Sequence, residues 1–188
     1  TKAAASEAVW NTAKGAPMYL FVIPDEANER NSVELFGIPK LLSWVATGDK
    51  DGVYKGLKDW PKEERPPVAV TFWSFRLMVG LGLLMALLSV IAWIKRRSIE
   101  ENPTLLWLLL LAIPLPYLAL ELGWTVTEIG RQPWIVYGVM KTADAASKVA
   151  GSQVGLSLAA CVIVLTRLGI GCFYLVAKYA RKGPEPVQ

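Results

Sequence analysis

The chain has 188 residues, long enough for one domain, but 53% of them are apolar and only 19% are charged. The apolar residues gather into long runs, which excludes an ordinary soluble domain and points to a membrane protein. A formal charge of +4, without a basic stripe interleaved with aromatics, gives no reason to expect a nucleic-acid partner. Histidine is absent, which removes the commonest general base and the commonest haem ligand from these residues.

Residues 1–9 have neither the charged nor the apolar region of a signal peptide, and no Met opens the chain, so it reads as cut from something longer. Lys2 and Glu7 stand five apart in a short helical start whose plain reading is a solvated helix end. Residues 19–23 form a short apolar run ended by Pro24-Asp25. Over 33–45, Leu35, Ile38, Leu41, Leu42 and Val45 keep helical spacing, with Pro39 limiting any helix before it. A turn at 48–52 and the stiff Pro61 and Pro66-Pro67 then lead to the first apolar run. Residues 1–67 are expected to form a small folded loop on the outer membrane surface.

Three runs are long enough to span a bilayer, at 68–94, 105–127 and 154–177. Pro114 and Pro116 predict a kink near 113–117 without a break, because neighbouring helices or water can satisfy the freed carbonyls. Lys95, Arg96 and Arg97 follow the first run, and Lys178, Arg181 and Lys182 follow the third, which places both ends in the cytoplasm. The 130–153 loop and the N-terminal segment then lie outside. Cys161 and Cys172 fall inside the third run and are expected to be buried small hydrophobes, not a disulfide framework.

Besides Lys2 and Glu7, three features could carry chemistry. Glu121, Trp124, Glu128 and Arg131 follow helical steps of three, four and three, so they share one face of the second run. Such a stripe faces either a polar pocket or cofactor, or the headgroups as an aromatic and charged belt; Glu121, between Leu120 and Leu122, fits the pocket better. In the first run, Arg76 and Met78 point to roughly opposite sides. Met78 reads either as packing or as a neutral axial haem ligand, and Arg76 as a snorkelling cation. Arg167, near the middle of the third run, either meets a buried anion or subunit or faces an aqueous cavity.

The string Gly123-Trp124, Glu128, Gly130-Arg131-Gln132-Pro133-Trp134 resembles the signature of the cytochrome bd oxidase subunit I family. Phe72-Trp73-Ser74-Phe75-Arg76-Leu77-Met78-Val79 resembles the span of that family that supplies a methionine. Residues 1–10, 21–25, Ile38-Pro39, Gly56-Leu57-Lys58 and Ile113-Pro114-Leu115-Pro116 fit in the same order, and the short stretch 56–67 resembles the form with a short quinol-binding loop, the Q-loop. The resemblance implies Met78 as an axial ligand of the low-spin haem b558, with Arg76 beside it. It implies Glu128 as a ligand at the high-spin pair, haem b595 and haem d, with Trp124 and Arg131 alongside as catalytic residues. It implies Lys2 and Glu7 as quinol residues, Glu7 accepting a proton.

The expected fold is all-α integral membrane: an extracytoplasmic Q-loop segment (1–67), a three-span region (68–182) and a cytoplasmic tail (183–188), within a larger helical bundle. The implied activity is oxidation of a membrane quinol and reduction of dioxygen to water in the bacterial cytoplasmic membrane. The implied partners are the N-terminal spans of subunit I, which supply the family's ligating histidines, and subunit II. The alternative is a non-redox membrane anchor or assembly subunit, which has no need of both a thioether and an intramembrane carboxylate at such positions.

Overall fold

The computed structural model describes residues 1–145 and 147–182, so the tail expected at 183–188 lies outside the described residues. The chain divides into two compact units, Thr1–Ala145 and Ala146–Gln188. Three helical stretches are long and apolar enough to cross a membrane: Lys62–Ile94, Pro103–Ile129 and Gly151–Lys182.

The first unit opens with a one-turn helix, α1 (Lys2–Ser6). This is no solvated helix end: Ala4, Ala5, Ser6 and Ala8 are buried. Strand β1 (Ala13–Lys14) pairs with β4 (Val53–Tyr54). Between them, β2 (Met18–Asp25) and β3 (Arg30–Ile38) form an antiparallel hairpin that aligns Met18 with Ile38, Phe21 with Leu35 and Asp25 with Arg30. The helical spacing seen over 33–45 is realised only in α2 (Leu41–Thr47). Leu35 and Ile38 belong instead to the strand, where cross-strand apolar partners outweigh helical periodicity. Lys40, at φ 63°, turns the chain from strand into helix.

α3 (Val68–Ile94) begins inside this layer. Val68, Thr71 and Phe72 are at most 4% exposed and Ser74 is 8% exposed; Val68 and Phe72 share one core with Ala5, Trp10, Val22, Leu42 and Leu57. One face of the first two turns is therefore covered by protein, with Val70 and Trp73 exposed on the other, and the later large side chains, from Leu77 onward, are mostly exposed.

The second run is divided. α4 (Pro103–Ala112) stops at Ile113, and α5 (Leu115–Ile129) resumes after Pro114. Ile113 and Pro114 keep right-handed helical dihedrals, so the axis continues, but the hydrogen-bond ladder is interrupted because prolines 114 and 116 lack an N–H. The interruption falls where the prolines predict a disturbance, and Pro103–Ile129 still forms one stretch long enough to cross the membrane. After α5 the chain forms a small hairpin, β5 (Trp134–Val136) and β6 (Met140–Lys141).

The second unit contains α6 (Gly151–Lys182), none of whose residues is buried. Cys161 and Cys172 are free and exposed on it, contrary to the expected burial, because α6 as a unit on its own has no protein layer over its apolar run.

Within the first unit α3 packs on α5. Gly123 sits at this contact, where an added Cβ would lie 3.0 Å from Met78 Sδ. Gly123→Leu should overpack the contact at a cost of about 1–3 kcal/mol. A lowered thermal unfolding midpoint of the detergent-solubilised protein checks this, with Gly80→Leu, at an open position on α3, as the control that stays near the parent.

Candidate functional site

The site begins where α1 meets α3. Glu7, at the C-terminal end of α1, accepts from Arg76 Nη2 at 2.5 Å, and the two side chains are only 11% and 19% exposed. α1 is held against the layer by Ala5 and Ala8, while Arg76 lies one turn beyond Phe72, whose ring centroid is 5.2 Å from the guanidinium carbon. Burial raises the Glu7 carboxyl above its ordinary value, and the Arg76 charge opposes that rise. Tyr54, buried in the same core, is pushed up to about 12 by burial and by the Glu7 charge, so its hydroxyl stays protonated. Tyr54 escaped the sequence reading because no local pattern marks a tyrosine that packs 47 positions from its neighbour, and only the tertiary fold joins them.

Arg76 uses one nitrogen on Glu7 and leaves another unused: Nε is buried without a hydrogen-bond partner among the described residues. A buried donor of this kind calls for an acceptor. Met78, half-buried, lies two residues further and packs on α5 at Gly123. The unpaired guanidinium nitrogen suits an anionic group such as a carboxylate, and the Met78 thioether, on another side of α3, is a neutral soft donor. No three His, Cys, Asp or Glu side chains among the described residues are grouped to hold a bare metal ion.

Glu121, Trp124 and Glu128 lie at helical spacing on α5, whereas Arg131 falls in the turn just past its end and joins the stripe only through its ion pair with Glu128. Val126, on the opposite side, is buried. Trp124 is 62% exposed, Glu121 is exposed, and Glu128 is paired with Arg131 one turn on. The stripe is open, and the Met78 contact lies on another side of α5, so Met78 and Glu128 are not brought together.

Lys2 and Glu7 are also separated. Glu7 lines a cavity of about 430 Å³ together with Trp10, Tyr19, Arg30, Asn31 and Glu34. Lys2 lines another, of about 600 Å³, with Trp60, Arg131, Trp134 and Tyr137. The Lys2 stem lies over Gly130, where an added Cβ would meet Lys2 Cγ and Cδ at 2.9 Å and the Val126 carbonyl at 2.4 Å. That double obstruction explains the glycine at this position. The residues after it close a turn: Thr142 donates its hydroxyl to Gln132 Oε1 at 2.7 Å and its N–H to the Pro133 carbonyl at 2.9 Å. The Trp134 ring stacks under Lys141, 5.1 Å from its ammonium. Arg167 is exposed on α6.

The matches to known proteins follow the same residues. The family model "Cytochrome bd terminal oxidase subunit I" matches residues 1–184. Cytochrome bd ubiquinol oxidase subunit 1 of Bacillus subtilis is 36% identical over 98% of this chain and 42% of its own length. Cytochrome bd-II ubiquinol oxidase subunit 1 of Escherichia coli is 30% identical over all of this chain and 49% of its own. That alignment runs over 255 residues, so the relative carries insertions that this 188-residue chain lacks. The solved bd oxidase of Geobacillus thermodenitrificans superposes with a TM-score of 0.77 at 32% identity, over 97% of this chain and 42% of that one. The chain thus spans a little under half the length of these relatives. It belongs to the cytochrome bd terminal oxidase subunit I family.

Proposed function

We propose that the chain is the C-terminal part of subunit I of a quinol oxidase in the bacterial cytoplasmic membrane, which oxidises membrane quinol and reduces dioxygen to water. The observation that carries this reading is the partly buried Glu7–Arg76 pair. It ties a carboxyl suited to taking a proton from quinol to the helix turn that carries a potential haem ligand.

Met78 would hold the low-spin haem b558 through its thioether, and the free Nε of Arg76 would receive one of its carboxylates. Glu128, with Trp124 and Arg131, would serve the high-spin pair, haem b595 and haem d, from the open face of α5. Bound haem supplies the one-electron steps between quinol and dioxygen. The chain's own part is to bind and orient: Glu7 receives the proton, Tyr54 stays neutral beside it, and the core from Ala5 to Phe72 holds α1 and α3 so that the pair meets. Lys2 would approach quinol from the second cavity, beside Arg131. The missing ligands would come from the N-terminal spans of subunit I, with subunit II completing the complex.

Burial supports a membrane placement: one face of the first two turns of α3 is covered by protein, so the hydrocarbon-crossing part would be 77–94, roughly 27 Å at 1.5 Å per residue. Arg76 then stands at the outer edge. The basic residues after α3 and at the end of α6 would face the cytoplasm, which would leave the N-terminal layer outside.

In the complete oxidase, Met78→Leu should abolish or shift the low-spin haem band in a reduced-minus-oxidised spectrum, and an unchanged band would make Met78 a packing residue only. Glu128→Ala should lower high-spin haem occupancy; full occupancy with normal oxygen uptake would contradict the ligand role. A protein of this sequence purified with its partners and showing no haem bands would favour the non-redox anchor.

Because Glu7 is raised above its ordinary 4.5 in the folded chain, the folded state keeps a proton that the unfolded state has already lost. Its contribution to stability is fully present below pH 4.5 and declines as pH rises toward the folded value. Unfolding midpoints measured against pH should show this decline, Glu7→Gln should flatten it, and Arg76→Gln should extend it to higher pH.

A further inference from the structure

The turn that joins β2 to β3 is acidic, and two of its carboxylates reach α3 or its approach. Asp25 is used locally, accepting from the Asn28 N–H at 3.1 Å and from Asn28 Nδ2 at 2.7 Å. Glu26 accepts from the N–H of Ala69, the second residue of α3. That N–H is one of the helix's unpaired donors, and the start of a helix favours a negative charge. Glu29 Oε1 lies 2.7 Å from Lys62 Nζ and 3.3 Å from Arg65 Nη1. Arg65 is itself fixed, since its Nε donates to the Trp60 carbonyl at 2.9 Å and its side chain is only 13% exposed.

Glu29 holds this position at a backbone cost, with φ at 49° in the left-handed region. Asparagine or glycine would adopt that conformation more readily. A glutamate there is accounted for by the two cations it meets.

The hairpin pinned in this way is one wall of the cavity that Glu7 lines: Tyr19 belongs to β2, and Arg30, Asn31 and Glu34 belong to β3. The opposite wall is joined to it through Asn31, which accepts from the Trp10 indole N–H at 2.9 Å and donates to the Ala8 carbonyl at 3.0 Å. We propose that Glu26 and Glu29 are positioning residues for this cavity: by pinning the hairpin tip to the entrance of α3, they fix the wall against which quinol is held opposite Glu7. The inference rests on the quinol reading given above.

The test uses the complete oxidase with Glu29→Asn, which keeps a residue tolerant of positive φ and removes the charge, alone and combined with Glu26→Gln. Trypsin cleavage after Arg30 should become several-fold faster as the tip loosens. KM for quinol should rise about five- to tenfold, with kcat within about twofold and the low-spin haem band unchanged, as expected for loss of one or two charge-assisted contacts. Glu29→Asp should restore part of both effects. An unchanged cleavage rate overturns the pin. Faster cleavage with unchanged KM in an active oxidase overturns its link to the cavity. Absence of quinol oxidation in the unsubstituted oxidase would instead refute the proposed activity, while the cleavage rates still decide the pin.

Discussion

An arginine in the third turn of a long apolar helix must be neutralised before that helix can pack, and Arg76 is neutralised by Glu7. The pair is partly desolvated, with side chains 19% and 11% exposed, so it contributes little net stability but is costly to break. Removing one partner of a fully buried pair costs about 3–5 kcal/mol because the other charge is left alone, and somewhat less is expected at this residual exposure. The pair therefore acts chiefly on geometry. It sets where α1 lies along α3, and α1 brings Ala4, Ala5 and Ala8 into the core that also holds Trp10, Leu57 and Phe72. The layer is built outward from that contact.

The same contact relates the extramembrane layer to the membrane helices. A span that began at Val68 in lipid would place Arg76 well inside the hydrocarbon. With one face of the first two turns packed on the extramembrane layer and Glu7 beside it, Arg76 needs no long reach to water, and its second donor can be used for something else. Gly123 allows α5 to close on α3 beside Met78, while Glu121, Trp124, Glu128 and Arg131 remain on the open side. The first unit thus presents two different polar surfaces, one enclosed and one exposed.

The helical part was legible because a bilayer demands long apolar runs: 68–94 coincides with α3, and 105–127 and 154–177 fall inside Pro103–Ile129 and Gly151–Lys182. The α5 stripe was legible because helical periodicity is local. The N-terminal layer was not. Leu35 and Ile38 keep helical spacing yet lie in a strand, since their partners Phe21 and Met18 are set by the hairpin and not by neighbours in sequence. The burial of Glu7 and the role of Tyr54 depend on contacts across dozens of residues. Cysteines 161 and 172 were misjudged for a related reason, because an apolar run in a membrane helix can face lipid or another chain as well as its own core.

The separation of Lys2 from Glu7 has a physical consequence. Two groups five residues apart on one short helix would serve a single small cavity if that helix lay on its surface. Here α1 passes between two cavities, with Glu7 turned toward the β2–β3 hairpin and Lys2 toward Gly130 and Trp134. A quinol ring that met both would have to lie across the end of α1, close to Arg76. Under the proposed quinol reading the work would be divided, with the carboxyl taking the proton on one side and the ammonium adding positive charge beside Arg131 on the other. Lys2 then belongs electrostatically with the Glu128–Arg131 pair, and a change at Lys2 acts on the α5 stripe before it acts on Glu7.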